Sequence, residues 1–495
     1  MENEKEEIAK KANGSIKWTT LSGFFSKLIA PLTNMILSRF LAPSIFGIIA
    51  SVSIITAFAD ILSEGGFARY ILQHDFGSEA EKKSASRTAA TSSLAVSLLV
   101  FILIWIFKDP FADLVNASGF GVLLVVTAAQ IPLFGFSSVL TSLLQRNFHF
   151  KSLAFIKMIC LIVQDAIAII LALLHQGLWA VPIGSLCGAI LQLILLLIIS
   201  KEKMLLGFNF LDFKKMFVFS GLFLTESLIT WLNSSIDVFF IGSFFSLSDA
   251  GIYKNSFTTT IGLVSVFSAI YRQILISLLA KMQDDPERFS KTLESYQKLF
   301  AFLYIPLGVG MFCFRDTLAF LFFGQGWGGS ELVVGYLGGL LCLTAGSTDF
   351  LMTAFTAKGK PIYSIVADLC YTASILLVCF LFGHSGFSTY VTARSFCVLV
   401  PATVALMFSI KVLNFKPKSL FINLIEPVLL SFGMLGLAEG LRRYSYSLWA
   451  NLFFIILCAA FYFCQLFILN KESFFSLLSM FVPLRKRKKD SKIYN

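Results

Sequence analysis

The stretch from Trp18 to Gln73 constrains this chain more than any other. Two apolar segments of about 24 residues each are joined there by a tight Ala42-Pro43-Ser44 turn. At about 1.5 Å per residue, each arm spans a hydrocarbon core of about 30 Å with some tilt, so the pair is predicted to be a helical hairpin across a bilayer. Neither arm is uniformly apolar. In the first, Thr20, Lys27, Pro31, Asn34 and Ser38 recur at spacings of seven, four, three and four; in the second, Ser53, Thr56, Asp60 and Glu64 recur at three, four and four. Such spacings put one polar stripe on each helix. Charge at membrane depth is costly, so the stripes are expected to face other protein or a water-accessible cavity rather than lipid.

The rest of the chain is of the same kind. Of 495 residues, 57% are hydrophobic and 14% charged, against about 25% charged in soluble domains. This composition identifies a polytopic membrane protein. The N-terminal MENEKEEIAKKANGSIK is hydrophilic, and the first apolar arm is too long for a signal-peptide core and lacks a small-x-small cleavage site, so it is expected to be retained. A net charge of +11 raises nucleic-acid binding, but the charges sit in alternate loops. About 30 of the 40 Lys and Arg fall on one side of the predicted topology, which is the positive-inside asymmetry with both termini cytoplasmic. The RKRKKD tail at Arg485 to Asp490 belongs to that face and reads as an anionic-lipid contact, not a nucleic-acid site. Nine cysteines are scattered through apolar segments without a C-x-x-C, and His74, His149, His175 and His384 have no ligand spacing. No metal site or cofactor is expected.

Fourteen spans are predicted. Six lie between residues 18 and 200, with the basic QRNFHFKS turn at Gln145 to Ser152 returning the chain to the cytoplasm. KEKMLLGFNFLDFKK at Lys201 to Lys215 is expected to be an interfacial amphipathic helix between halves. Further spans fall at about 216–245, 249–281, 298–314, 330–357, 361–382, 388–412, 420–441 and 448–469. The organisation read from this is an N-terminal lobe over 1–205, a C-terminal lobe over 206–415, two additional helices over 416–470 and a basic cytoplasmic tail over 471–495.

The second half opens as an echo of the first. LSRFLAPSIFGII at Leu37 to Ile49 lies beside IGSFFSLSDAGIY at Ile241 to Tyr253, with Gly47 and Gly251 in equivalent places. The seventh span carries Glu226, Thr230, Asn233 and Asp237 at spacings of four, three and four, and the eighth carries Lys254, Thr258, Ser265, Ser268 and Arg272 on one stripe. QRNF at Gln145 to Phe148 and AKGKP at Ala357 to Pro361 each follow the fourth span of a half. Repeats that cross in the same direction are related by an axis along the membrane normal, with a site expected at their interface.

These stretches resemble the Wzx-type oligosaccharide-lipid flippases of polysaccharide export, in the superfamily that also holds the multidrug-extrusion antiporters. The residues that carry the resemblance are WTTLSGFFSKLIAPLTNMILSRFLAPSIFGIIA, FADILSEGGFARYILQ, LLQRNFHFKSLAFIK and LFFGQGWGGS at Leu321 to Ser330. The resemblance implies a V-shaped, all-α molecule of two six-helix lobes plus two C-terminal helices in the cell inner membrane. It implies a polyprenyl-pyrophosphate-linked glycan as substrate, and polysaccharide polymerase and chain-length machinery as partners. Family members commonly have a basic central cavity, to which Lys27, Lys254 and Arg272 match by helix and face. Lys27 stands where related lipid-intermediate flippases often have Arg, and an ammonium does not offer the bidentate fork of a guanidinium.

The candidate substrate contacts are therefore Lys27, Arg272, Lys254, Asn34, Lys157 and Arg394. The alternative for each cation is neutralisation by a structural carboxylate such as Asp60, Asp165, Asp237 or Asp368. Lys27 and Arg272, in the cytoplasmic halves of their helices, are expected to hold one pyrophosphate together. Asp60, Glu64, Glu226 and Asp237 are candidates for gating or ion coupling, since desolvation raises a carboxylate pKa, with structural pairing as the alternative. Asp237 and Lys254, both in the outer halves of the seventh and eighth helices, are expected to contribute to closing the outer side in an inward-facing state by pairing there. Pro31 and Gly65-Gly66 interrupt the first two helices and let them bend, or simply pack. Phe320 to Trp327 is expected to lie in the membrane interface as an aromatic belt, and MQDDPERFSK as a hydrated loop. Two other functions compete: a cation-coupled multidrug antiporter, which favours an acidic cavity, and a membrane glycan polymerase, which favours a large outer loop absent from this sequence.

Overall fold

The computed structural model describes residues 2–64, 66–200, 206–283, 285–413, 415–442 and 447–481. Among these every regular element is helical. The chain begins with α1 (Glu2–Leu37), α2 (Pro43–Glu64), α3 (Phe67–Gln73) and α4 (Glu79–Ile106). The short α5 (Lys108–Leu114) and α6 (Gly121–Ala128) lead into α7 (Gln130–Arg146), followed by the hairpin of α8 (Phe150–Leu173) and α9 (Gly177–Ser200). Next come α10 (Phe210–Phe244), α11 (Leu247–Ala280), α12 (Pro286–Cys313) and α13 (Arg315–Phe323). A span made of α14 (Ser330–Leu332), one π-helical turn and α15 (Gly338–Ser347) precedes α16 (Asp349–Ala357), α17 (Ile362–Phe382), α18 (Phe387–Phe396) and α19 (Leu399–Val412). The chain closes with α20 (Pro417–Arg442), α21 (Leu448–Leu469) and α22 (Lys471–Phe481).

Local chemistry sets these boundaries. Ser78, Asn209, Asp285 and Ser447 each accept a hydrogen bond from a backbone N–H of the helix they precede, satisfying donors that the first turn leaves open. Pro31 is accommodated inside a continuous α1. Gly66, by contrast, adopts φ 72° and separates α2 from α3; a side chain there would also meet Ser220.

Eleven segments among the described residues are long and apolar enough to cross a membrane. The fourteen predicted spans exceed these by α1, α10 and α11. The expected interfacial helix at 201–215 is not formed as such. Residues 206–209 are non-helical, with the Asn209 N–H bonded to Thr88 Oγ1 at 3.0 Å and the Thr91 hydroxyl bonded to Gly207, and 210–215 is already the start of α10; residues 201–205 lie outside the described set. The MQDDPERFSK segment is helical from Pro286, because Asp285 caps α12 and proline is suited to its first turn.

The chain divides into two compact units. The first comprises Met1–Gln273, Ala319–Val333 and Ile365–Val400. In it α8 and α9 pack as a hairpin, α1 lies against α8, and α2 contacts α4, α7 and α10. Phe67, Tyr70, Ile71, Val139, Leu143 and Met216 form one of its apolar clusters. The second comprises Ile274–Leu318, Val334–Ser364 and Pro401–Asn495. There α12 packs against α15 and α20, and α21 and α22 complete a core around Phe302, Met434, Tyr462 and Leu466. The Tyr462 hydroxyl donates to the Phe302 carbonyl at 2.9 Å, and Glu426 receives both Lys298 at 3.3 Å and the Asn470 amide at 2.9 Å.

Candidate functional site

In the first unit the buried charge converges on Asp237 of α10. Arg394 of α18 directs Nε at both carboxylate oxygens, at 2.8 and 3.0 Å. The hydroxyls of Tyr253 on α11 and Tyr390 on α18 each donate to Asp237 at 2.8 Å. Arg394 Nη2 donates to the Tyr371 hydroxyl of α17 at 2.9 Å. Cys379 Sγ lies 3.3 Å from the Tyr390 hydroxyl. The carboxylate thus ties three helices directly and a fourth, α17, through Arg394, and charge-assisted bonds in an apolar interior are the strong kind. Arg394 is 0% exposed. It presents no surface to a substrate in this conformation, and the structural alternative weighed for it in the sequence is the geometry found.

The expected pairing of Asp237 with Lys254 is not made. Arg394 and two tyrosines take the carboxylate, and Lys254 Nζ instead donates to the Ser234 carbonyl of α10 at 3.2 Å. Lys27 on α1 and Lys157 on α8 have exposed side chains, and Asn34 on α1 and Asp60 on α2 are half-buried. Asp165 accepts a hydrogen bond from Thr33 at 2.7 Å, which joins α8 to α1. The side chains of Arg272, Glu64 and Glu226 lie outside the described set, as does Gly65.

The α1/α2 and α10/α11 hairpins meet at defined points. Gly262 of α11 lies against Pro31 of α1, and a Cβ at Gly262 would be 3.7 Å from the Lys27 carbonyl. Residue 272 is ten positions further along α11, about 15 Å at helical rise. The backbones of Lys27 and Arg272 are therefore offset rather than at the common depth the sequence suggested. Trp231 of α10 donates Nε1 to the Ile54 carbonyl of α2 at 3.0 Å, a further tie between the hairpins.

Several residues escaped sequence reasoning. Phe320 to Trp327 is only partly exposed: Phe320 is 38% exposed, whereas Phe323 is 0% and Trp327 3% exposed, and Trp327 Nε1 donates to the Ser38 carbonyl at 3.0 Å while its ring packs on Phe46. Arg39, in the turn after α1, donates Nη2 to the carbonyls of Phe320 and Leu321 at 3.0 and 2.6 Å, capping α13. Arg146, in the quoted QRNF turn, donates Nη1 to the Ile71 and His74 carbonyls at 3.0 and 2.6 Å at the end of α3. In the second unit Lys358, from the equivalent AKGKP turn, donates to the Val412 carbonyl at 3.0 Å at the end of α19. The only signal for these was the similarity of the two turns.

Membrane-length helices joined by a buried ionic hub define a polytopic helical membrane protein, and its fold is that of known transporters. The solved structure of the lipid II flippase MurJ in an inward closed conformation superposes with a TM-score of 0.73 at 17% identity, covering 92% of this chain and 99% of that one. The sequence model of the family described as "Polysaccharide biosynthesis protein" matches residues 36–331, and the chain belongs to that family. The succinoglycan biosynthesis transport protein ExoT of Rhizobium meliloti (strain 1021) is 26% identical over 66% of each chain. The teichuronic acid biosynthesis protein TuaB of Bacillus subtilis (strain 168) is 21% identical over 94% of this chain and 96% of its own. The alignment with ExoT spans just under two thirds of that protein, whereas the one with TuaB is nearly full length. The resemblance read from the sequence therefore holds at the level of family and fold.

Proposed function

We propose that the protein is a flippase that carries polyprenyl-pyrophosphate-linked oligosaccharide from the cytoplasmic to the outer leaflet of the inner membrane by alternating access. The observation that carries this reading is that one chain combines membership of a polysaccharide biosynthesis family with a fold that spans 99% of a lipid II flippase. In this reading α1, α10 and α11 join the eleven apolar spans to make fourteen, arranged as two six-helix lobes over 1–205 and 206–415 with two helices after them. Both termini are cytoplasmic. The substrate and membrane lipids are the immediate partners, and a polymerase with its chain-length machinery consumes the product.

Lys27 and Arg272 are proposed to meet the pyrophosphate at successive depths, since their backbones are offset by about 15 Å along α11. Asn34 and Lys254 lie on the same stripes and serve the same cavity, with Lys157 a peripheral contact. Asp60, Glu64 and Glu226 are left as candidates for coupling, while Asp237 and Arg394 hold helices together. The Arg394 guanidinium on Asp237 speaks against an antiporter reading centred on that carboxylate. The test is a deletion strain: lipid-linked glycan should accumulate on the cytoplasmic face and return to export when the gene is restored. Lipid-linked glycan that reaches the outer leaflet normally but stays unpolymerised would reject the flippase in favour of a polymerase.

A further inference from the structure

Helices α2 and α11 cross at Gly47 and Gly251, and the contact is reciprocal. A Cβ at Gly47 would strike the Leu247 carbonyl oxygen, and a Cβ at Gly251 would strike that of Pro43; each carbonyl belongs to the residue four before the opposing glycine. Only glycine permits this approach, and it does so at equivalent positions of the two hairpins. One turn further along each helix, on the face that carries the glycine, stand Ser51 and Asn255. Ser51 faces the second hairpin, since its Oγ would be 3.9 Å from a Cβ at Gly242 of α10. Gly262 against Pro31 holds the Asn255 side of α11 toward the first hairpin from the other end.

These polar groups are shut in without partners. Ser51 is 1% and Asn255 3% exposed, and neither the Ser51 hydroxyl nor either amide atom of Asn255 has a hydrogen-bond partner among the described residues. Thr259, a turn beyond Asn255, is 0% exposed and its hydroxyl is likewise unpartnered. A buried donor or acceptor left unmade costs free energy that an apolar side chain of similar size would not. An unsatisfied buried polar group in a native fold calls for an explanation, and a second conformation that satisfies it is one. The groups are uncharged hydroxyls and a carboxamide, matched to sugar hydroxyls rather than to a phosphate.

We propose that Ser51, Asn255 and Thr259 form a saccharide-hydroxyl contact set that is closed behind the Gly47–Gly251 crossing in this conformation and engages the glycan when the two hairpins part. This deepens the flippase reading and rests on it. The contact set is separate from the cations assigned to the pyrophosphate, so one substrate is held by two chemistries on the same pair of hairpins.

The test uses the full-length protein in its deletion strain. Asn255→Leu removes the unmade bonds, so it should raise the thermal midpoint of the purified protein while lowering glycan export about tenfold or more, and Asn255→Gln should recover part of the export. In a cysteine-free background, labelling of Asn255→Cys by a membrane-impermeant maleimide should accelerate about tenfold when Gly251→Ala, or Gly47→Ala if the first does not fold, props the crossing open. A lower thermal midpoint with normal export for Asn255→Leu, or labelling indifferent to both glycine variants, overturns the proposal. Failure of the flippase reading is seen separately, as export that does not depend on the wild-type gene, and leaves the melting and labelling results standing.

Discussion

Arg394 places Nε within 3.0 Å of both carboxylate oxygens of Asp237, and the two residues are 157 positions apart in the chain. Removing one partner of a fully enclosed pair strands the other charge, at a cost of about 3–5 kcal/mol. Asp237→Asn and Arg394→Gln should therefore each lower thermal stability severely. The double variant Asp237→Asn/Arg394→Gln should be less destabilised than the sum of its single variants, because no net charge is left buried. Thermal unfolding of the four proteins in detergent checks this. Additive losses would mean that the pair does not act as a unit.

For the anion site, Lys27→Ala and Arg272→Ala should each reduce export at least about tenfold without loss of folded protein, as expected for removal of a charge-assisted phosphate contact. Because their backbones are offset along α11, the two effects should multiply in the double variant rather than saturate. Lys27→Arg should keep part of the activity, with its donors in a different geometry. Quantified export at matched expression decides it. Wild-type export from either alanine variant removes that residue from the site.

Trp327 and Arg39 make a third case. Trp327→Phe keeps the ring against Phe46 but deletes the Nε1–H bond to the Ser38 carbonyl, at a cost of about 1–3 kcal/mol for a buried acceptor left unpaired. Arg39→Gln loses bonds at an exposed helix end, so its effect should be about 1 kcal/mol or less. Melting curves should rank the two in that order.

The topology predicts that cysteines introduced at Gln176 and Ser385, both exposed between helices, react from outside. A cysteine at the exposed Glu287 should react only after the membrane is permeabilised. The reverse pattern would invert the proposed orientation.

Much of the helical framework was legible because hydrophobic runs and their flanking turns are local signals. The echo of Gly47 in Gly251 was legible for the same reason, and the structure makes it physical by bringing the two glycines into one crossing. What could not be read was which polar groups meet. Asp237 was seen as a charge on a stripe, yet its partner comes from α18, and depth alone favoured the nearer Lys254. Phe320 to Trp327 read as an interfacial belt because aromatic residues after an apolar helix commonly are one; that Trp327 at its far end is buried could not be read, since the Ser38 carbonyl it bonds is 289 positions away. Lys201 to Lys215 misled through composition, since basic residues mixed with aromatics fit an interfacial helix and a capped helix start equally well.

Arg146 and Lys358 were counted among the positive charges that set orientation, yet each is bonded to carbonyls at the end of another helix. These two uses belong to different moments in the life of the chain. Insertion reads the charges on a nascent segment, before α3 and α19 have ends to be capped. Once the helices have assembled, the same guanidinium and ammonium are withdrawn into backbone contacts. Because about 30 cations share the orienting role, neutralising either residue should leave orientation intact while fraying a helix end, a defect of maturation that a topology assay would pass over.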